Sequence, residues 1–219
     1  MFKRRILILI LFAFAILLTG CQEIEHAWSG QVEIIDEVAI KEIALIGPAS
    51  ESRAEFSGMA WCGTDLILLP QYPDRFEVDG SDHVFAIPKE EILAYLSGYN
   101  QDGIQPETIP FDASGIEDQI PGFEGFEAIV FNDDVFYVTV EAGDKDEMMG
   151  YIITGEVIGD CESLVLYPTS LHQLKPQADL DNMSHETLVF YHDHVYAIYE
   201  GNGVNVNPVS YTHLRAHET

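Results

Sequence analysis

The chain has 219 residues, 47% of them hydrophobic and 11% aromatic, a composition for a globular domain with its own core rather than a disordered polymer. It carries 10 basic and 37 acidic residues, a formal net charge of −27 at pH 7. Such a surface repels phosphodiesters and anionic lipid head groups, which argues against nucleic acid as a partner and favours cations.

Residues 1–20 read as a signal peptide. Lys3, Arg4 and Arg5 form a positive start, and residues 6–18 are an apolar run too short for a typical membrane-spanning helix. The run closes on Leu18-Thr19-Gly20-Cys21, which resembles the bacterial lipoprotein lipobox. That resemblance implies cleavage ahead of Cys21, acylation of its thiol by palmitate-type chains, and a membrane anchor through that lipid. It also implies a place in the bacterial cell envelope, outside the cytoplasm. Residues 21–37 follow as a linker. Without the three basic residues of the signal, 7 basic residues remain against 37 acidic ones.

Residues 38–46 read as a single strand. A repeat then begins. Phe56-Ser57-Gly58-Met59-Ala60-Trp61 and Asp65-Leu66-Ile67-Leu68-Leu69-Pro70-Gln71 flank a turn, as two strands of a hairpin. His83 to Pro88 reads as a third strand, residues 89–96 as a helix between Pro88 and Gly98, and residues 106–111 as a fourth strand. A stronger copy is Gly125-Phe126-Glu127-Ala128-Ile129-Val130-Phe131, then Asn132-Asp133-Asp134, then Val135-Phe136-Tyr137-Val138-Thr139-Val140-Glu141. Residues 150–157 and 163–168 complete its four strands. The next copy runs His185-Glu186-Thr187-Leu188-Val189-Phe190-Tyr191, His192-Asp193, His194-Val195-Tyr196-Ala197-Ile198-Tyr199-Glu200. Glu186 follows Glu127, and Glu200 follows Glu141, by the same 59 residues.

The strands are apolar on both faces, so each unit is expected to be covered on both sides. Four-stranded antiparallel units of this kind predict an all-β fold, a partial β-propeller over residues 38–208. The count is two full blades, one hairpin of a third and the strand at 38–46. Residues 209–219 share no pattern with the rest and read as a non-native tail, with the natural chain continuing past about residue 208. Cys62 and Cys161 are free of C-x-x-C spacing; outside the cytoplasm they form a disulfide, or else stay as two buried thiols.

Phe56-Ser57-Gly58-Met59-Ala60-Trp61, Leu69-Pro70-Gln71-Tyr72-Pro73-Asp74-Arg75, Gly125-Phe126-Glu127-Ala128-Ile129, His185-Glu186-Thr187-Leu188 and Tyr199-Glu200-Gly201-Asn202-Gly203 resemble the propeller family labelled "esterase-like activity of phytase". The likeness covers roughly residues 57–208. It implies an exported, calcium-friendly propeller, part of a six-bladed ring, acting on a phosphate or carboxylic ester. The first unit departs from the pattern, with Ser57 and Gln71 where the others have glutamate.

Folding residues 127–141 about Asp133 sets Glu127 opposite Thr139, with Glu141 on the same face and within diagonal reach. Glu127, Glu141, Glu186 and Glu200 are therefore expected at one mouth of a channel. A hard divalent cation, Ca²⁺, would compensate them, with Ser57, Gln71 and Asn202 adding neutral oxygens. Glu127 or Glu186, with His185, would serve as general base. The alternative is structural, with each glutamate accepting backbone N–H bonds. His192-Asp193-His194 reads as a solvated turn, Asp144-Lys145-Asp146-Glu147 as an exposed acidic loop, and Arg75 as an ion-pair partner or a contact for an anionic substrate. No G-x-S-x-G, P-loop or H-E-x-x-H motif occurs. Two functions thus follow: a lipid-anchored, Ca²⁺-assisted hydrolase of an ester, lactone or phosphoester, or a non-catalytic propeller that binds a small molecule or serves as an envelope scaffold.

Overall fold

Runs of Val, Ile, Leu, Phe and Tyr separated by two-residue turns favour antiparallel hairpins, and left-handed turn residues match the twist of the strands. The computed structural model describes residues 40–144, 147–174, 184–200 and 214–215. The signal peptide at 1–20, Cys21, the 21–37 linker, Asn202 and most of the 209–219 tail lie outside the described residues.

The strands described below all belong to one compact unit that starts at Lys41. β1 (Phe56–Cys62) and β2 (Asp65–Pro70) pair about a turn with Gly63 at φ 56°. β3 (His83–Pro88) and β4 (Glu107–Asp112) complete a four-stranded antiparallel meander. β5 (Phe123–Asn132), β6 (Val135–Asp144), β7 (Glu147–Ile158) and β8 (Ser163–Leu166) form a second one. β9 (His172–Leu174) lies beside β7. β10 (His185–Tyr191) and β11 (His194–Tyr199) make a further hairpin, its turn residues His192 and Asp193 both left-handed at φ 48° and 60°. Backbone pairing of β12 (Leu214–Arg215) with β11 falls inside the stretch read as a tail.

Both faces are covered in β2, β3 and β5 to β7, as the doubly apolar pattern implies, whereas β1, β4 and β10 keep one face open, with Met59, Trp61, Val189 and Tyr191 exposed. In β3, Val84 and Ala86 enter the core between the two meanders, together with Ile67, Leu69, Phe111, Phe126, Phe136, Val138 and Val140. Phe85 and Ile87 point the other way, under a cover that includes Phe76 and Ile104. Part of that cover is α1 (Lys89–Leu96), which carries Glu90 and Glu91 in its first turn, where acidic side chains complement the helix dipole. On the far side of the second meander, Ala128, Tyr137 and Ile152 meet Leu188, Val195 and Ala197 of the β10–β11 hairpin.

The chain is all-β, but the two meanders are not separate. Their fourth strands, β4 and β8, pair in parallel at Phe111↔Leu164 and Asp112↔Val165, giving one order, β1-β2-β3-β4-β8-β7-β6-β5. This short contact removes two open strand edges while burying Phe111 and Leu164, and it curls the eight strands into a nearly closed, barrel-like mixed sheet. Other details also differ from expectation. Described residues 40–46 form no strand: Leu45 makes only an isolated bridge to Ile104, with Ile46 N donating to Ile104 O at 2.9 Å. The loop expected at 144–147 is a hairpin end, because β6 and β7 run on until Asp144 pairs with Glu147. Cys62 and Cys161 form a disulfide with their Cα atoms 6.2 Å apart.

Candidate functional site

Each of the three repeated hairpins carries a β-bulge at the same place. In β1 the register shifts between Phe56 and Gly58, in β5 between Phe126 and Ala128, and in β10 between His185 and Thr187. The extra residue is thus Ser57, Glu127 or Glu186, which are the equivalent positions of the repeat. A bulge re-aims one side chain and bends the strand. It also corrects the expected register: Ala128, not Glu127, stands opposite Thr139, and Glu127 sits between the Val140 and Thr139 pairings.

The bulge lifts Glu127 out of the alternation while leaving it only 7% exposed. Gln71 Nε2 donates to Glu127 Oε1 at 3.0 Å. Burial, then the negative charge of Glu141, pushes the Glu127 carboxyl up to about 7; the Gln71 bond opposes this, and Glu186 and Glu200 add to it. Glu141 is also pushed up to about 7, by burial first and then by the charges of Glu124, Glu200 and Glu186. Its Oε1 is buried with no hydrogen-bond partner among the described residues. The exposed Glu186 is raised by burial of its carboxyl and by the charge and hydrogen bond of Glu200. Glu200 ties its own hairpin, accepting from Ser184 N at 3.1 Å while its N–H donates to Ser184 O at 3.0 Å.

The four expected glutamates are therefore mutually felt charges at one end of the hairpins, and a fifth, Glu124, joins them. A second bulge between Phe123 and Gly125 carries Glu124, whose carboxylate lies over Gly143. The available signal was Gly125, a glycine inside a strand pattern, which marks a bulge or a close backbone approach. Its φ is 135°, and a Cβ there would collide with Gln71. Tyr72 borders the same cluster, its hydroxyl pushed up by burial and by Glu55, Glu124 and Glu127, against the pull of Arg75.

Other expected residues stand differently. Ser57 is not a free oxygen ligand: its hydroxyl donates to Phe126 O at 2.5 Å and lies 3.4 Å from Leu69 O, fastening β1 to β5. Arg75 pairs with Glu55 and stacks 3.9 Å over the Tyr72 ring. His192 and Asp193 are exposed in their turn. His185 is fully buried rather than presented to solvent. Its ring contacts Gly150 and Tyr199, and burial pushes its pKa down to about 4, so it is neutral at pH 7 and a weak base.

The donor set of the glutamate cluster is all oxygen, the chemistry a hard cation takes. Among the described residues, however, no group of three or more His, Cys, Asp or Glu side chains is arranged to hold a metal ion. Without a cation the cluster is compensated by protons and by Gln71. Chemically, a carboxyl titrating near 7 beside ionised neighbours is suited to taking or giving a proton at neutral pH. No protein family, curated protein or solved structure matches the chain.

Proposed function

We propose that the chain belongs to an exported, lipid-anchored β-propeller, related to the esterase-like phytase family, whose carboxylate mouth hydrolyses an ester, lactone or phosphoester with the help of Ca²⁺. The meanders β1–β4 and β5–β8 and the β10–β11 hairpin are the blades in this reading, and β1, β5 and β10 are their inner strands. The observation that carries it is the bulge repeated in three hairpins, which brings Glu127 and Glu186 together with Glu141 and Glu200. Glu127 is the general base, because it is buried at the cluster and its carboxylate is oriented by the bond from Gln71. Glu141, Glu186 and Glu200 are the residues that would join Glu127 in holding Ca²⁺, whose charge would offset theirs and polarise a substrate oxygen.

One observation favours the non-catalytic alternative. Ser57, at the position of Glu127 and Glu186, uses its hydroxyl only to fasten neighbouring strands. In that reading the repeated position is a clasp, and the mouth binds without turnover. Titration calorimetry with Ca²⁺, followed by an ester and phosphoester screen, separates the two. The hydrolase reading expects binding and turnover that are both lost in Glu127→Gln, with a rate fall of roughly a hundred-fold or more. Heat-silent titration together with no turnover in the screen sinks it.

A further inference from the structure

Five buried polar atoms on facing surfaces have no hydrogen-bond partner among the described residues: Thr139 Oγ1, Glu141 Oε1, Ser184 Oγ, and Nδ1 and Nε2 of His185. Their residues are at most 7% exposed, and Thr139 and His185 are fully buried. Thr139 and Glu141 share the face of β6 that carries Tyr137 toward the β10–β11 hairpin. Glu141 is the cross-strand neighbour of Gly150 on β7. A Cβ on Gly150 would lie 2.7 Å from His185 Nδ1 and 3.2 Å from Ser184 Oγ, so these two side chains close over the spot where β7 has no side chain. Ser184 and His185 of the third hairpin thus lie against Gly150, the cross-strand neighbour of Glu141, and Thr139 is two residues along the same face of β6.

The repeat shows that a histidine is not needed here for packing. Phe56 and Phe126 occupy the positions equivalent to His185, each just ahead of its bulge. At His185 alone the repeat places a residue with a donor and an acceptor, and Ser184 and Thr139 supply two hydroxyls opposite it. Native interiors rarely leave such groups unpaired, and each buried water satisfies about three of them.

We infer that this junction is a hydration site: one or two ordered waters bridge Thr139, Glu141, Ser184 and His185, joining the third hairpin to the second meander. Water suits the set better than a metal ion, since neutral hydroxyls and an imidazole need both a donor and an acceptor. The bridge also gives Glu141 a hydrogen-bonded connection to His185, which the bulge keeps out of direct reach of solvent.

The near-isosteric change Thr139→Val decides the matter. In a dry junction it removes an unpaired hydroxyl and shifts the unfolding equilibrium toward the fold. With bridging water it breaks a satisfied network and shifts that equilibrium toward unfolding by roughly ten-fold. His185→Phe, which restores the residue of the other two hairpins, has the same two opposite signs. Water-proton and oxygen relaxation dispersion on the full chain in detergent supplies a readout that does not depend on activity. The inference expects long-lived internal water that diminishes in Thr139→Val. Unchanged relaxation, or stabilisation in both variants, overturns it whether or not the mouth binds calcium.

Discussion

Glu127 and Glu141 titrate near 7 in the fold against 4.5 for an ordinary glutamate, so folding holds protons that the unfolded chain has released. The stability they contribute is complete below 4.5 and is lost as pH rises through 7. His185 works in the other direction: at about 4 against 6.5, its contribution is present above 6.5 and lost as pH falls through 4. Two carboxyls outweigh one imidazole, so the protein loses stability between about pH 5 and pH 8, by about 1–3 kcal/mol after solvent screening. Urea unfolding across that range checks it, and a flat or rising profile refutes the placement of these side chains. Gly125 offers a second residue-level test. With φ at 135° and Gln71 against it, Gly125→Ala is expected to cost about 1–3 kcal/mol and to disturb the Gln71–Glu127 bond. A melt unchanged from the parent would contradict the tight approach.

The hairpin with its bulge is the repeated element, and its phase explains what faces where. In a regular strand Phe126 and Ala128 would share a face. The extra residue Glu127 shifts the alternation, so Phe126 and Ile129 enter the same core while Ala128 faces the third hairpin. The same shift carries His185 inward against Gly150. The three hairpins, the helix α1 and the hairpin turns were legible in the sequence because the pattern of apolar runs, Gly and Asp is local; the apolar run at residues 40–46 misled, since it forms only the bridge at Leu45. The bulges were not, since nothing in a single strand states how its partner will be shifted. Consequently the glutamate pairs were foreseen, but their register, the role of Ser57 and the entry of Glu124 were not.

At the scale of the molecule, the disulfide links Cys62 at the end of β1 to Cys161 in the turn between β7 and β8, a separation of 99 residues. It ties one meander to the other at the end of β5 that carries the Asp133–Asp134 turn, away from the carboxylates. Closing so long a loop restricts the unfolded chain strongly, a contribution of about 4–5 kcal/mol by chain entropy. Reduction, or Cys62→Ser with Cys161→Ser, is expected to lower the unfolding midpoint accordingly without altering the Glu127 environment. Denaturant curves with and without reductant provide the comparison, and superimposable curves would contradict that contribution.

The sequence by itself determined the all-β class, the three hairpins, the apolar character of the central strands on both faces and the return of glutamates at a fixed interval. Each follows from side-chain periodicity and turn chemistry, which act between near neighbours. The tertiary structure alone decided that Cys62 and Cys161 bond, that β4 and β8 join the meanders into one sheet, and that His185 is buried. These depend on which distant surfaces meet, and on how a strand edge or a polar atom finds a partner once water has been excluded.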